Sequence, residues 1–155
     1  MASYFVMVGT QDNPLYEADL YPALKPQHTT SHTSTPSTSL DPLQPTPRDD
    51  QKHLNQFVAH SALDVLEELA WHSQSCYLKH VDRFNERIVS AYITPSHVVF
   101  LLLHEGKGEE GIKAFFGEVH ELWVKVMLNP FYEQNMPVRS FAFDSKVRLL
   151  AKKFL

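Results

Sequence analysis

The chain has 155 residues, of which 43% are hydrophobic and 21% are charged, so we expect one globular domain with a core of its own. Its formal net charge of -4 argues against nucleic acid binding, which needs clustered Lys and Arg side chains. Cys76 is the only cysteine, which excludes a disulfide framework and a cysteine zinc cluster and favours a reducing, cytoplasmic compartment. The N-terminal apolar run stops at Gly9, so we expect neither a signal peptide nor direct membrane insertion.

The first twenty residues predict a β-hairpin. Tyr4–Val8 is a continuous apolar run of residues that favour strands. The turn-forming sequence "GTQDNP" follows it, and the next run alternates, with Tyr16, Ala18 and Leu20 on one side. Two such runs around a short turn are typical of paired antiparallel strands.

A segment at about 25–48 differs sharply in composition from the rest of the chain. It is rich in Pro, Ser and Thr and poor in large apolar residues. Such a segment cannot bury enough surface to order itself, which predicts a disordered loop inserted in a single domain of residues 1–155. Because loop-closure entropy changes slowly with length, we expect a shortened loop to leave folding intact.

Asp49 and Asp50 are candidates to cap a helix, and apolar residues recur at helical spacing after them. The pattern contains two apolar stripes and one polar side. The first stripe is Leu54, Phe57, Val58, Ser61, Ala62, Val65 and Leu69; the second is Ala59, Leu63, Leu66 and Ala70; the polar side is Gln56, His60, Asp64 and Glu67. The pattern fits equally a deeply buried helix and a helix that also contacts a partner.

Three strand-like runs follow at 76–82, 87–94 and 97–104, and their short connections favour antiparallel neighbours. Two amphipathic helices come next. The first has Ile112, Phe115, Phe116, Val119, Leu122, Trp123, Val126 and Met127 on its apolar side, and the terminal one has Phe143, Val147, Leu150, Ala151 and Phe154. The resulting order, ββαβββαα, predicts the α+β class.

Gly106, Gly108 and Gly111 spell the dinucleotide pattern G-x-G-x-x-G between a strand and a helix. No parallel strand is predicted after that helix, and the fingerprint requires one. Glu109 and Glu110 would also repel a pyrophosphate at the helix N-terminus. We therefore interpret the segment as a turn between a strand and a helix that is capped by its own acids, and nucleotide binding is the weaker alternative.

No catalytic pattern is complete in the chain. Neither histidine followed by glutamate continues to H-E-x-x-H, and no G-x-S-x-G element occurs. His60 and Asp64 have the spacing of two metal ligands on one helix, but nothing nearby supplies a third. We predict no catalytic residue, no metal site and no cofactor.

The segment 128–140, "LNPFYEQNMPVRS", joins the last two predicted helices, and we call it the link. Pro130 predicts the end of a helix, and Phe131 and Tyr132 follow it. Two adjacent aromatic side chains are expected to contact protein, either this core or the surface of a partner. Residues 129–131 also match the N-P-F motif that Eps15-homology domains bind on flexible tails.

Six sequence blocks together resemble the sedlin family, the small longin-fold subunits of the TRAPP vesicle-tethering complex. The blocks are "VGTQDNP", "HLNQFVAHSALD", "YLKHVDRFNE", "SAYITPSHVVFLLLH", "GIKAFF" and "NPFYEQNMPVRSFAFDSKV". The resemblance implies a longin (SNARE-like) fold, with a five-stranded antiparallel sheet, one helix on one face and two on the other. The loop at 25–48 departs from the shorter connection of the family.

By resemblance, the chain is a non-catalytic adaptor in a complex that tethers vesicles and exchanges guanine nucleotides on a Rab GTPase. The expected place is the cytoplasmic side of endoplasmic reticulum and Golgi membranes, in transport between them and within the Golgi. The expected partners are the core TRAPP subunits and a large complex-specific subunit, with an indirect link to the Rab. An alternative is a free longin adaptor for SNARE or Eps15-homology partners. The candidate interface residues are Asp64, His60, Glu67, Leu63, Phe131 and Tyr132.

Overall fold

The computed structural model of the protein describes residues 3–20 and 47–155. These residues form five strands and three helices in the predicted ββαβββαα order. The elements are β1 (Ser3–Val8), β2 (Pro14–Leu20), α1 (Pro47–His72), β3 (Tyr77–Phe84), β4 (Arg87–Ile93), β5 (Val99–His104), α2 (Glu109–Met127) and α3 (Phe141–Phe154).

The five strands form one antiparallel sheet in the order β2-β1-β5-β4-β3. The N-terminal strand β1 therefore lies inside the sheet, with Tyr4 opposite Leu103 of β5. Every residue of β1 is buried. A strand covered on both faces reads as a continuous apolar run, which is why Tyr4–Val8 does not alternate.

Among the described elements, α1 is the one that covers one face of the sheet. Its buried apolar side chains are Val58, Ala59, Ala62, Leu63 and Leu66. They pack on the side chains that β1, β5, β4 and β3 direct toward this helix. The sheet side chains in this layer are Tyr4, Val6, Val8, Val81, Val89, Ala91, Leu101 and Leu103.

Helices α2 and α3 cover the other face. Phe5 lies at its centre, with its ring centroid 5.3 Å from that of Phe115 at an interplanar angle of 81°. The predicted apolar sides of both helices are confirmed: Ile112, Phe115, Phe116, Val119, Trp123, Phe143, Val147 and Ala151 are buried, and Leu122, Val126, Met127, Leu150 and Phe154 are partly buried against them. The molecule thus has the predicted α+β, longin-like architecture, with one helix on one face and two on the other.

The start of α1 differs from the sequence prediction. The helix begins at Pro47, before the proposed caps Asp49 and Asp50, so the last two residues of the predicted loop are helical. Proline is favoured at a first helical position because its missing N–H has no partner there. The rest of the predicted loop, residues 25–46, lies outside the described residues.

The structure decides which of the two apolar stripes of α1 faces the sheet. Phe57 and Leu54, both in the first stripe, are 67% and 39% exposed. Leu63, proposed for a partner interface, is buried. The buried side is centred roughly a quarter of a turn from the centre of the first stripe. Ala59 and Ala62 face the sheet, where their small side chains permit a closer approach of the helix than a phenylalanine would.

Candidate interaction surfaces

The solvent side of α1 carries a stripe that we call the α1 outer stripe: Phe57, His60, Asp64, Glu67 and Trp71. The spacings of three and four residues place all five on one side of the helix, opposite the buried side chains. Trp71 is 89% exposed, and Phe57 is 67% exposed. The carboxylate of Asp64 lies between two exposed aromatic side chains.

The polar members of the α1 outer stripe have no internal role in the part of the chain that the structure describes. Asp64, His60 and Glu67 are exposed, and none of them makes a hydrogen bond or an ion pair with a described residue. A partner can contact these groups without breaking any bond of the fold. Exposed charges of this kind contribute little to folding stability.

The sequence found part of this stripe. Asp64, His60 and Glu67 are brought together as expected, whereas Leu63 is wrong as an interface residue because its side chain fills the core against the sheet. Phe57 and Trp71 were missed. A signal was present: they lie seven residues before and after Asp64, and a seven-residue interval returns to nearly the same side of a helix.

The link is attached to the β1–β2 turn by Asn135. The Asn135 Oδ1 atom accepts from the backbone N–H of Thr10 at 2.9 Å, and the Asn135 carbonyl accepts from Asn13 Nδ2 at 3.1 Å. Asn135 has a φ of 61°, a left-handed conformation that asparagine tolerates better than most residues. A side chain at Gly9 would place its Cβ 2.5 Å from Asn135 Oδ1, so this contact requires glycine there.

The segment after Asn135 covers the open edge of β2. The Val138 N–H donates to the Leu15 carbonyl at 2.8 Å. Arg148 Nη1 donates to the Asp19 carbonyl at 3.0 Å. Two outward carbonyls of the edge strand are therefore occupied by the chain itself, which protects the edge from pairing with another strand.

The two neighbouring aromatic residues of the link lie in different environments. Tyr132 packs edge-on against Trp123, with centroids 5.3 Å apart, and its hydroxyl donates to the Met136 carbonyl at 2.7 Å. Phe131 is 86% exposed. Its N–H donates to the Asn129 side chain at 3.0 Å, which fixes the turn that directs the ring outward. Tyr132 thus belongs to this fold, and Phe131 remains a candidate contact for a partner.

A cleft of about 650 Å³ opens beside Phe131, between the end of α2, the link and the start of α3. We call it the α2–α3 cleft. Its walls are mainly apolar, and three cationic side chains stand among them. The lining residues are Leu122, Lys125, Val126, Asn129, Phe131, Tyr132, Met136, Pro137, Val138, Arg139, Ser140, Ala142, Phe143 and Lys146.

The glycines of the G-x-G-x-x-G segment have structural reasons to be there. Gly106 has a φ of +71°, and a Cβ on Gly111 would lie 2.5 Å from the Phe154 carbonyl oxygen. Gly108 is the N-cap of α2, and Glu109 and Glu110 lie in the first turn as expected, although no side-chain hydrogen bond caps the helix. Glu109 also pairs with Lys79 at 2.9 Å. No parallel strand pair occurs among the described strands, and a dinucleotide site of this type needs one.

Ser90 and His104 form the only buried serine–histidine pair in the described part of the chain. The Ser90 hydroxyl donates to the Lys79 carbonyl at 2.6 Å, so the Nε2–H of His104 must donate to Ser90 at 2.8 Å. The Lys107 N–H donates to the Nδ1 atom of His104 at 3.2 Å. One ring nitrogen of His104 therefore donates and the other accepts, as in a neutral imidazole. Burial, with help from the nearby Lys107 and His80, lowers the pKa of His104. The pair is buried and fully bonded, so it has no open position for a substrate.

The described residues form neither a metal site nor a membrane-spanning helix. Across residues 3–20 and 47–155, no group of three or more His, Cys, Asp and Glu side chains is placed to hold a metal ion. His60 and Asp64, which have the spacing of two ligands on one helix, gain no third ligand there. Among the described helices, none combines the length and the apolar character that crossing a bilayer requires.

Comparison with known proteins identifies the family to which the chain is related. The family model described as Sedlin matches residues 7–153. The chain is 41% identical over 155 residues, all of both chains, to the "Transport protein particle 20 kDa subunit" of Schizosaccharomyces pombe. It is 38% identical over 152 residues to the "Probable trafficking protein particle complex subunit 2" of Drosophila melanogaster, covering 98% of this chain and 96% of that protein. The "Trafficking protein particle complex subunit 20" of Saccharomyces cerevisiae is 32% identical, covering 100% and 99%. The chain belongs to the sedlin family.

Proposed function

We propose that this chain is a non-catalytic adaptor subunit of a TRAPP complex, the transport protein particle named in its relatives. The observation that carries the proposal is similarity along the whole chain to three proteins named as subunits of such particles. In this role it acts in vesicle transport between the endoplasmic reticulum and the Golgi and within the Golgi. It works at the cytoplasmic side of those membranes, while other subunits exchange nucleotide on the Rab GTPase.

The α1 outer stripe is the proposed contact for a large complex-specific subunit. Its two exposed aromatic residues supply apolar area, and tryptophan is among the residues that most often dominate interface energies. Asp64 lies between them and has no partner within the described residues. When the partner binds, this carboxylate loses its water and pairs with a donor or cation of the partner, and this pairing makes the contact specific. The core subunits then bind elsewhere on the chain.

The exposed Phe131 favours a second candidate, a free adaptor that offers its N-P-F sequence to an Eps15-homology domain. Phe131 is accessible, as such a ligand requires. The sequence is part of an ordered turn, however, in which the Asn129 side chain accepts the Phe131 N–H. Binding would have to compete with that contact, which ranks this candidate below the complex subunit.

Affinity purification of the tagged chain from cells tests the proposal. Recovery of the other particle subunits in stoichiometric amounts supports it, whereas a monomer bound to an Eps15-homology protein, a SNARE or nucleotide contradicts it. Asp64→Lys should lose the large subunit and keep the core subunits. Truncation of one member of a buried charged pair costs about 2–5 kcal/mol of binding free energy, so the loss should be easy to detect.

Glu118→Lys is the matched control, because Glu118 is an exposed carboxylate on α2, on the other face of the sheet. It makes the same charge change and should keep the large subunit. Circular dichroism must show that both variants are folded. Full recovery of every large subunit by folded Asp64→Lys protein would refute the assignment of this surface.

A further inference from the structure

The α2–α3 cleft has the properties of a second binding site, on the face of the sheet opposite α1. We propose that it binds a short amphipathic segment of a partner protein, with one or two large apolar side chains flanked by aspartate or glutamate. The inference comes from the shape, lining and charge of the cleft and does not depend on the proposed membership of a complex.

The apolar part of the cleft is large enough for side chains but too small for a folded domain. Its volume of about 650 Å³ lies within the range of sites that enclose small ligands. Val126 and Phe143 form part of its lining, and Phe131 stands exposed at its mouth. Leu128, three residues before Phe131 in the sequence, is 77% exposed. An amphipathic segment can insert its apolar side chains into the cleft.

Charge identifies the flanking residues of that segment. Lys125, Arg139 and Lys146 line the cleft, and no carboxylate lines it. None of these three cations forms an ion pair with any residue that the structure describes, whereas Lys79 and Arg148 do so elsewhere. In a chain of net charge -4, three unpaired cations around one apolar cleft favour an acidic partner.

The cleft is formed before any partner binds. Tyr132 is held against Trp123, the Val138 N–H is bonded to β2, and Asn135 is bonded to the β1–β2 turn. At the start of α3, the Ser140 hydroxyl accepts the Phe143 N–H at 3.4 Å. A wall that is already ordered loses little conformational entropy on binding, which favours affinity for a short segment. Its concave shape favours inserted side chains over the flat surface of a bilayer.

The test is a selection of displayed peptides on the full-length chain. The library carries apolar residues at helical spacing and all residue types between them. Selected peptides should be enriched in aspartate and glutamate. Their affinity should fall about tenfold or more for Lys125→Glu/Lys146→Glu and severalfold when the salt concentration is raised from 0.05 to 0.5 M, because rim charges are screened. Phe131→Ser should weaken binding at every salt concentration.

The control variant is Lys113→Glu/Lys152→Glu, which makes the same charge change at exposed positions of the same two helices outside the cleft. It should bind the selected peptides as the unmodified chain does. Peptides whose acids are replaced by lysine should regain binding to the Lys125→Glu/Lys146→Glu protein. Circular dichroism and thermal melting confirm that each variant is folded.

Several results would overturn the proposal. These are a failure to enrich any peptide, enrichment without acidic residues, and equal losses in the cleft and control variants. Binding of vesicles rich in phosphatidylserine that depends on Lys125 and Lys146, without peptide binding, would assign the surface to a membrane instead.

Discussion

The α1 outer stripe and the α2–α3 cleft both expose large aromatic side chains, but the chain builds them in different ways. Phe57 and Trp71 are exposed on a regular helix whose backbone is bonded within itself. Phe131 is exposed because polar contacts fix an irregular segment, from Asn129 beside it to Asn135 on the β1–β2 turn. The first surface needs only its helix, and the second depends on contacts 125 residues apart in sequence.

The two surfaces also carry opposite charge. The α1 outer stripe presents Asp64 and Glu67 and no Lys or Arg, and the α2–α3 cleft presents three cations and no carboxylate. They lie on opposite faces of one sheet, so a single chain can contact two chemically different partners at once. Since long-range steering follows local charge, neither partner should compete strongly for the other surface.

The largest expected difference in stability is between the variants of the two tryptophans. Trp123→Ala should lower the free energy of unfolding by about 3–5 kcal/mol, because Trp123 is buried under the link and supports Tyr132. Trp71→Ala should change it by less than about 0.5 kcal/mol, since the indole is exposed. Urea denaturation followed by circular dichroism measures both. Similar losses in the two variants would contradict the contrast between the surfaces.

Removal of the Asn135 side chain should loosen the cleft and spare the α1 outer stripe. Asn135→Ala loses hydrogen bonds worth about 0.5–1.5 kcal/mol each and leaves alanine in a left-handed conformation that costs about 1 kcal/mol more. We expect a total loss of about 2–4 kcal/mol.

Asn135→Gly separates the two causes, because glycine adopts a positive φ without strain. It should be more stable than Asn135→Ala by about 1 kcal/mol and still less stable than the unmodified chain. Hydrogen exchange should increase in the link and at Thr10 but not in α1. Equal stability of all three proteins would show that the Asn135 contacts contribute nothing.

Acid should weaken the sheet that both surfaces share. The pKa of His104 is lowered in the folded chain, so below about pH 6.5 the unfolded chain binds more protons at this residue than the folded one. The stability contributed by neutral His104 is therefore present above that pH and is lost progressively as the pH falls.

Thermal melting at pH 7.5 and 5.5 measures this effect against His104→Gln, whose amide donates to Ser90 without titrating. The unmodified chain should lose more stability between the two pH values than the variant. An identical pH dependence would show that His104 does not carry the effect.

The smallest expected effect on stability comes from removing the exposed aromatic rings. Phe57→Ser and Phe131→Ser should each change the free energy of unfolding by less than about 0.5 kcal/mol, because both rings are mainly in water. Denaturant titration measures this. A loss above 1 kcal/mol at either position would mean that the ring packs on the protein in solution.

The sequence predicted the order of elements and the antiparallel neighbours from the apolar runs and their short connections, and it predicted the apolar sides of α2 and α3 because each of these helices has a single apolar side. It did not decide the orientation of α1, where two apolar stripes adjoin. Periodicity gives the width of an apolar arc but not which part of it faces the sheet. Ala59 and Ala62 decided that through close packing, and Phe57 was left outside.

The candidate surfaces were predicted less completely for a similar reason. The helical period placed Asp64, His60 and Glu67 together on one polar side, and the family resemblance suggested that this side contacts a partner. The different fates of Phe131 and Tyr132 depend on Asn129, Met136 and Trp123, contacts that no local pattern encodes. The cations of the cleft come from α2, the link and α3, and only the folded chain brings them together.

The position of β1 inside the sheet has a consequence for the order of events during synthesis. β1 and β2 leave the ribosome before β5, the other neighbour of β1, which ends almost a hundred residues after β1 at His104. At about 5–20 residues per second, the hairpin waits roughly 5–20 s for that neighbour. An isolated two-stranded hairpin is marginally stable in water, so the apolar run Tyr4–Val8 stays exposed throughout this interval. We therefore expect the nascent chain to be most prone to aggregation during those seconds, before β5 emerges.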